Sequence, residues 1–479
     1  MRKTYIKICL IAHFLMNAVV IGAYWGDEGK GKIVDMLAAN SDWVARFNGG
    51  DNAGHTIVAN GKEVVLHVVP AGMVQGKNVA IGPDVFFNPK TFFADYEGVL
   101  KAGFRVNGRI LIDERAHVIM PYHIALDAGG EASGKLGTTK RGIGPVAKDK
   151  ASRTEDITIC DLVSPGLREK IKAVVAAKTA ELVAVKAIEK AADAEKYAEA
   201  AYAEYAPYAE KIRPYVGSCA YELNAALDSG KTMLLEGAQS TLLDVVHGTR
   251  PYVTSSNCTA GGAAANLGID LRKFKIIAVV KAYPTRVGEG AFPSELGNYE
   301  DAKKEKKGET LTAAEKKNAV DGDQGLLGKW IRQDGREFGA TTGRPRRTGY
   351  PDFVALNYSA MINGVDEWAI TKIDILSGKP LKAVVAYEKD GRKTTRFPFK
   401  LEGWKPVYGN REYFWNAMAE SEIKAAVAKG YDALPGGMKE YIRDLVIATK
   451  TPVSMVSLSP EREITVTKDV LKRTMEYLR

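Results

Sequence analysis

The chain has 479 residues, 46% hydrophobic and 26% charged, with a formal net charge of +9. This ordinary globular balance excludes a disordered or fibrous polypeptide, and the length fits either about three average domains or one large α/β core with insertions. The excess of Lys and Arg suits anionic partners; it is spread along the chain without an aromatic-interleaved basic tract or zinc spacing, so small anions are favoured over nucleic acid.

The first segment, Met1-Arg2-Lys3 and then Ile8 to Met16, faintly resembles a signal peptide. A strand begins at about Ala18, leaving no room for a cleavage site and spacer, and Met16 sits at a natural start of the core. Residues 1–17 are therefore expected to be an upstream extension or a misassigned start, not an export signal. Cys9, Cys160, Cys219 and Cys258 lie far apart with no C-x-x-C pair, which points to a reducing cytoplasm. No apolar run has the length of a membrane span, so no membrane partner is expected.

Strand-like runs recur at 18–22, 42–47, 64–69, 79–82, 110–113, 276–282, 368–373, 383–388 and 453–458. Most are rich in Val and Ile without clean alternation, as in strands buried on both faces of a parallel sheet. Amphipathic helical segments lie between them, so the expected class is α/β, with a P-loop-like, mostly parallel central sheet flanked by helices. A single domain over 18–479 is expected, with a helical excursion at about 165–216, broken near Pro207, and a charged surface insertion at about 298–328.

The most informative segment follows the first strand: Gly22-Ala23-Tyr24-Trp25-Gly26-Asp27-Glu28-Gly29-Lys30-Gly31-Lys32 leads into the helical Ile33-Val34-Asp35-Met36-Leu37. Glycines let the backbone approach a ligand, the helix start offers free N–H groups to phosphate, and Lys30 and Lys32 add positive charge. Gly26 to Lys32 satisfies G-x-x-x-x-G-K, but Ile33 stands where a P-loop carries the Ser or Thr that touches magnesium. Another group must hold the cation, and Asp27 is the nearest. A carboxylate beside polyphosphate is repelled unless it binds a metal or takes a proton, so the Asp27-Glu28 pair signals chemistry.

Further loops carry polar groups. Asn48-Gly49-Gly50-Asp51-Asn52-Ala53-Gly54-His55-Thr56 holds a histidine able to donate a proton or hydrogen bond to a developing oxyanion. His67, His117, His123 and His247 lack comparable settings and are expected to be structural. Trp368 to Asp374 is a strand ending in T-K-x-D, the guanine-reading constellation: the Asp carboxylate accepts from ring N1–H and the exocyclic amine, which adenine does not offer. Gly339 to Gly349 brackets Thr341, Thr342, Arg344, Arg346 and Arg347, suited to a ligand with more than one anionic group. Gly137 to Pro145 and Glu236 to Thr241 complete a site built from many loops around a sheet edge.

In order, W-G-D-E-G-K-G-K, N-A-G-H-T, G-T-T-x-R-G-I-G-P, E-G-A-Q, Y-V-T-S-S-N, T-R-V-G-x-G-x-F-P, A-T-T-G-R-x-R-R-T-G and T-K-I-D resemble the adenylosuccinate synthetase family from about Ala18 to about Pro460. The resemblance implies ligation of IMP and L-aspartate with GTP and Mg²⁺, giving adenylosuccinate, GDP and phosphate through 6-phosphoryl-IMP. It implies Asp27 as N1 base and metal ligand, the Gly54 carbonyl as second metal ligand, and His55 and Gln239 as catalytic groups. The matching IMP positions are Asp27, Lys30, Asn52, Thr139, Arg153, Gln239, Thr254 and Arg344, and Thr341, Thr342, Arg344 and Arg346 match the aspartate clamp. GTP falls to Gly26, Gly29, Lys30, Gly31, Lys32, Gly54, His55, Thr56, Arg346, Lys372, Asp374, Ser457 and Ser459. The counterpart of Arg153 reaches into a neighbour's site in the family, which implies a homodimer with shared sites.

Several positions depart from the family pattern. Ser459 replaces a glycine of S-T-G-P and is expected to crowd the guanine; Lys140 replaces a small residue; Pro345 interrupts the arginine run; Asp51 stands where His or Asn is usual. Two rivals make different predictions. A viral relative joining aspartate to a guanine nucleotide lacks the loop aspartate, which is intact here. A GTP-binding regulatory module predicts binding without IMP-dependent phosphate release and leaves the Thr/Arg loop unexplained.

Overall fold

The computed structural model describes residues 17–59, 61–132, 137–339 and 343–479. Its centre is a ten-stranded sheet. In chain order the strands are β1 (Ala18–Gly22), β2 (Trp43–Arg46), β3 (Asn78–Ile81), β4 (Ile110–Asp113) and β5 (Val216–Gly217). They continue with β6 (Met233–Glu236), β7 (Lys275–Lys281), β8 (Glu367–Thr371), β9 (Val453–Ser457) and β10 (Thr465–Val466). Across the sheet the order is β10-β9-β8-β7-β1-β6-β2-β3-β4-β5. Only the β9–β10 pairing is antiparallel. Parallel neighbours need crossovers, which the helices supply, so both faces are covered and the strands read as unbroken apolar runs. In β1, Val19 and Ile21 pack into one core and Ala18 and Val20 into the other.

The runs at 64–69 and 383–388 do not join this sheet. Lys62–Leu66 pairs antiparallel with His55–Ala59, from which only Asn60 and Gly61 separate it in sequence, so the local hairpin wins. Leu381–Lys389 pairs with Arg392–Thr394 and Lys405–Tyr413 in a separate antiparallel sheet, where exposed Lys382 and Val385 alternate with buried neighbours. Conversely β6, at the centre, was absent from the sequence reading: Met-Leu-Leu-Glu contains no β-branched residue. Nor does the helical excursion break at Pro207. Helix Ala194–Ile212 runs through it, held at that turn by buried Tyr205, whose hydroxyl donates to the Ile119 carbonyl at 2.8 Å.

Just past β1, Tyr24 ties the phosphate-type loop to the next helical layer. Its hydroxyl accepts from the Asp352 N–H at 3.0 Å, and the Asp352 side chain caps helix Phe353–Asn363 by accepting from the Ala355 N–H at 2.9 Å. Burial pushes the Asp352 carboxyl up from 3.8 to about 6, although the Tyr387 hydroxyl and two backbone N–H groups work against it. The folded state therefore holds a proton that the unfolded chain has released between those values. Stability from this group is greatest below about pH 4 and declines by about 3 kcal/mol as pH rises to 6, then levels off. Denaturation of wild type and Asp352→Asn across this range should show the wild-type advantage shrinking as pH rises; parallel profiles would contradict the assignment.

Candidate active site

Five of the candidate loops leave the carboxyl ends of parallel strands, where open α/β sheets place their ligands, whereas residues 137–145 and 339–349 follow helices. Strand order sets the order of the subsites. The 457–459 segment follows β9, Lys372 and Asp374 follow β8, residues 22–32 follow β1, Gly237 to Thr241 follow β6, and residues 47–55 follow β2. The expected guanine end and the expected IMP end thus lie on opposite sides of the glycine-rich loop.

That loop is shaped by Glu28, which is wholly buried. Its Oε1 accepts from the Tyr24 N–H at 3.0 Å and the Gly26 N–H at 2.9 Å, while Oε2 accepts from Lys30 Nζ at 2.9 Å and Ser240 Oγ at 2.5 Å. Of the acidic pair, then, Glu28 builds the loop and only Asp27 faces the site, at φ 60° with its side chain 36% exposed. Gly29, at φ 79°, starts the helix Lys30–Ala38. Gly31 admits no side chain, because a Cβ would sit 2.9 Å from the Thr56 carbonyl and 3.3 Å from His55 Cβ. Lys30 spends two donors on Glu28 and Ser240 and keeps one. Lys32 donates to Ser457 Oγ at 2.6 Å and to the carbonyls of Ser459 at 2.7 Å and Ile464 at 3.3 Å. It thereby fastens the β9 loop to the start of the helix, and burial lowers its pKa to about 8.

On the other side, Asn48 grips the β6 loop as a strand would: its amide accepts from the Ala238 N–H at 2.8 Å and donates to the Ala238 carbonyl at 3.2 Å. Gln239 Nε2 then donates to Asn52 Oδ1 at 3.0 Å, joining two of the expected IMP contacts. Gln239 Oε1 and Thr254 Oγ1 are buried without a partner among the described residues, as expected of groups that await a ligand. Neighbouring Asp51 is taken up by Asn88 and Thr91, at 2.9 and 3.0 Å. His55 is buried with Nδ1 against Glu236 Oε1. Glu236 also accepts from the Ala71 N–H at 2.8 Å and faces Arg46. Burial drives the imidazole pKa down while Glu236 opposes it; burial likewise pushes Glu236 up, but His55, Arg46 and Ala71 hold it below the ordinary carboxylate range.

Towards the base end, Arg346 Nε lies 2.7 Å from Asp27 Oδ2, and Arg346 Nη1 bonds Glu337 Oε2 at 3.0 Å. Glu337 is wholly buried and also receives Lys372 Nζ at 2.7 Å, Lys281 Nζ at 3.1 Å and the Tyr283 hydroxyl at 2.7 Å. Burial would raise this carboxyl, but Lys281, Lys372 and Arg346 together hold it well below its ordinary range. Beyond Lys372, Asp374 lines a cavity of about 270 Å³ with Ile375, Met418, Met438 and Leu458. Ser459 is not among the lining residues; its hydroxyl accepts from the Glu461 N–H at 3.2 Å.

Thr139, Lys140, Arg153 and Arg344 are exposed, with Arg153 at the carboxyl end of helix Ile143–Ser152. Thr341 and Thr342 lie outside the described residues, as do residues 1–16. Asp27, Lys140, Arg153, Gln239 and Lys372 all have left-handed backbones, a costly conformation for such residues and one that clusters at functional sites. His67, His117 and His123 pair with Asp95, Asp156 and Asp149, in keeping with structural roles. Sequence reading placed Glu236 in a site loop without a role of its own and missed Glu337. The strand-end position of Glu236 before Gly-Ala-Gln was the available signal; Glu337 gave none, since an isolated Glu reads as surface.

The adenylosuccinate synthetase family model matches residues 19–466. Adenylosuccinate synthetase of Thermodesulfovibrio yellowstonii is 38% identical over 463 residues, 95% of this chain and 99% of that protein. The Chlorobium chlorochromatii enzyme of that name is 42% identical over 462 residues, 94% and 97% of the two chains. The solved structure of fully ligated adenylosuccinate synthetase from Plasmodium falciparum superposes with a TM-score of 0.78 at 32% identity, covering 94% of this chain and 99% of that one. A cyanophage S-2L succinoaminodeoxyadenylate synthetase, at 17% identity and TM-score 0.56, shares the fold. The chain belongs to the adenylosuccinate synthetase family.

Proposed function

We infer that this protein is a ligase that joins IMP to L-aspartate at the expense of GTP, in AMP biosynthesis. The observation that carries this reading is Asp27, a part-exposed carboxylate in the glycine-rich loop just before the helix start that would take the triphosphate. The Asp27 carboxylate takes the N1 proton of IMP; the 6-oxygen attacks the γ-phosphorus, forming the O6–P bond as GDP leaves. The amine of aspartate then attacks C6 and phosphate departs with the 6-oxygen. His55 is fixed by Glu236 through Nδ1, leaving Nε2 for the phosphoryl group, where added negative charge would favour the imidazolium that burial opposes. Arg344 and Arg346, with Thr341 and Thr342, are assigned to aspartate. Arg346 has to leave Asp27 when the substrates enter, and its fork then pairs with a new anion.

Magnesium fits this donor set. Asp27 would supply a carboxylate oxygen and exposed Gly54 a carbonyl oxygen, a short protein list suited to a cation that keeps phosphate oxygens and waters. Bound there it would neutralise phosphate charge. We assign Arg153 to the neighbouring subunit's IMP in a homodimer, supported by its exposure at a helix end, and the enzyme to the cytoplasm.

The test is a spectrophotometric assay for adenylosuccinate with IMP, aspartate, Mg²⁺ and GTP. IMP-dependent phosphate release is expected, should cease with a chelator and should return with Mg²⁺. GTP binding without such release would instead favour a regulatory module.

A further inference from the structure

Resting on that reading of the site, we propose that Glu337 is a positioning residue that couples the loop assigned to aspartate with the loop assigned to guanine, so that affinity for both substrates is set together and affinity for IMP is not.

The cations on Glu337 come from three separate segments. Lys281 closes β7, Lys372 follows β8, and Arg346 stands on the far side of the 339–344 loop. Neutralising buried charge needs only one cation beside one carboxylate. Here a single carboxylate gathers three, each from a different segment of the site, and a tyrosine hydroxyl in addition. At the neck of the 339–344 loop the Arg346 N–H donates to the Glu337 carbonyl at 2.9 Å, and Gly339 N–H to the Arg344 carbonyl at 2.8 Å. Backbone and side chain of Glu337 therefore both hold Arg346 at the exit of the loop.

The same carboxylate holds the base side. Lys372 has a left-handed backbone, φ 54°, and its ammonium bridges Glu337 Oε1 and the Gly335 carbonyl, both at 2.7 Å. With Lys372 held in this way, the turn that presents Asp374 to the cavity is fixed relative to Arg346. A path of direct contacts runs from Asp27 through Arg346 and Glu337 to Lys372. Of the groups assigned to IMP, Asp27 and Arg344 border this path, while Lys30 is on Glu28 and Ser240, and Gln239 is on Asn52. An ion-pair network with one shared member can transmit coupling between sites, and coupling of this kind has a measurable size.

Initial rates with each substrate varied in turn, for wild type, Glu337→Gln and Glu337→Asp, test this. Wild-type turnover is the control for the reaction itself, so failure of that reading would be seen separately. Glu337→Gln leaves Lys281, Lys372 and Arg346 short of one negative charge and risks the fold; Glu337→Asp keeps the charge but is one methylene too short to reach every partner. In Glu337→Asp, KM for aspartate and KM for GTP should each rise by about fivefold or more, with KM for IMP within about twofold of wild type. GDP titrations with and without saturating L-aspartate should show mutual tightening in wild type that disappears in the variant. A rise confined to one of the two substrates, an equal rise for IMP, or no rise overturns the proposal, as does coupling between GDP and aspartate that survives the substitution.

Discussion

Asp27→Asn should lower kcat by about 10³-fold while the protein folds as before. The amide keeps the shape of the side chain but cannot take the N1 proton, and it is a poor ligand for a hard dication. Little in the fold depends on the carboxylate. The loop is held by Glu28, the side chain of Asp27 is one-third exposed, and Arg346 retains Glu337 when Asp27 is neutral. The unfolding midpoint should therefore stay close to wild type, and GDP should still bind. Initial rates and a denaturation curve on the same preparation decide the matter: more than about a tenth of wild-type activity would remove Asp27 from the role of base.

How this site could be read before any coordinates follows from which of its features are local. A glycine-rich turn between a buried strand and a helix is written in consecutive residues, so the phosphate loop and the T-K-x-D turn were visible as segments. Their adjacency was not. It depends on the central place of β6, a four-residue strand without a β-branched side chain, and on the pairing of β7 with both β1 and β8. The roles of individual charges were harder still. Asp27 and Glu28 are neighbours of like charge, and only the inward N–H groups of Tyr24 and Gly26 decide that Glu28 is structural. Lys32 matched the motif as a phosphate-binding group, yet its ammonium is engaged by Ser457, Ser459 and Ile464, from a segment more than four hundred residues away in sequence. Glu236 and Glu337 became members of the site only through burial beside His55 and beside Arg346. The burial of Glu337 by tertiary packing leaves no trace in local sequence.

The base subsite yields the second large effect. Two hydrogen bonds from guanine, N1–H and the exocyclic amine, would end on the two oxygens of Asp374, at the edge of the cavity of about 270 Å³. Burial pushes this carboxyl up, while its own backbone N–H and that of Ile375, together with Lys32 and Lys372, pull it back. Bonds to a charged acceptor are worth about 1.5–3 kcal/mol each, so Asp374→Asn, which offers one oxygen and one NH₂, should cut kcat/KM for GTP by roughly 10²- to 10³-fold. The introduced NH₂ would meet the guanine amine donor to donor. Xanthine carries a carbonyl at that ring position, so the variant should use xanthosine triphosphate better than GTP, with KM for IMP and aspartate unchanged. Activity with both nucleotides, wild type against variant, distinguishes loss of a specific contact from general damage. If GTP and xanthosine triphosphate fell by the same factor, Asp374 would not be reading the base, and the cavity would have to be assigned to another part of the nucleotide.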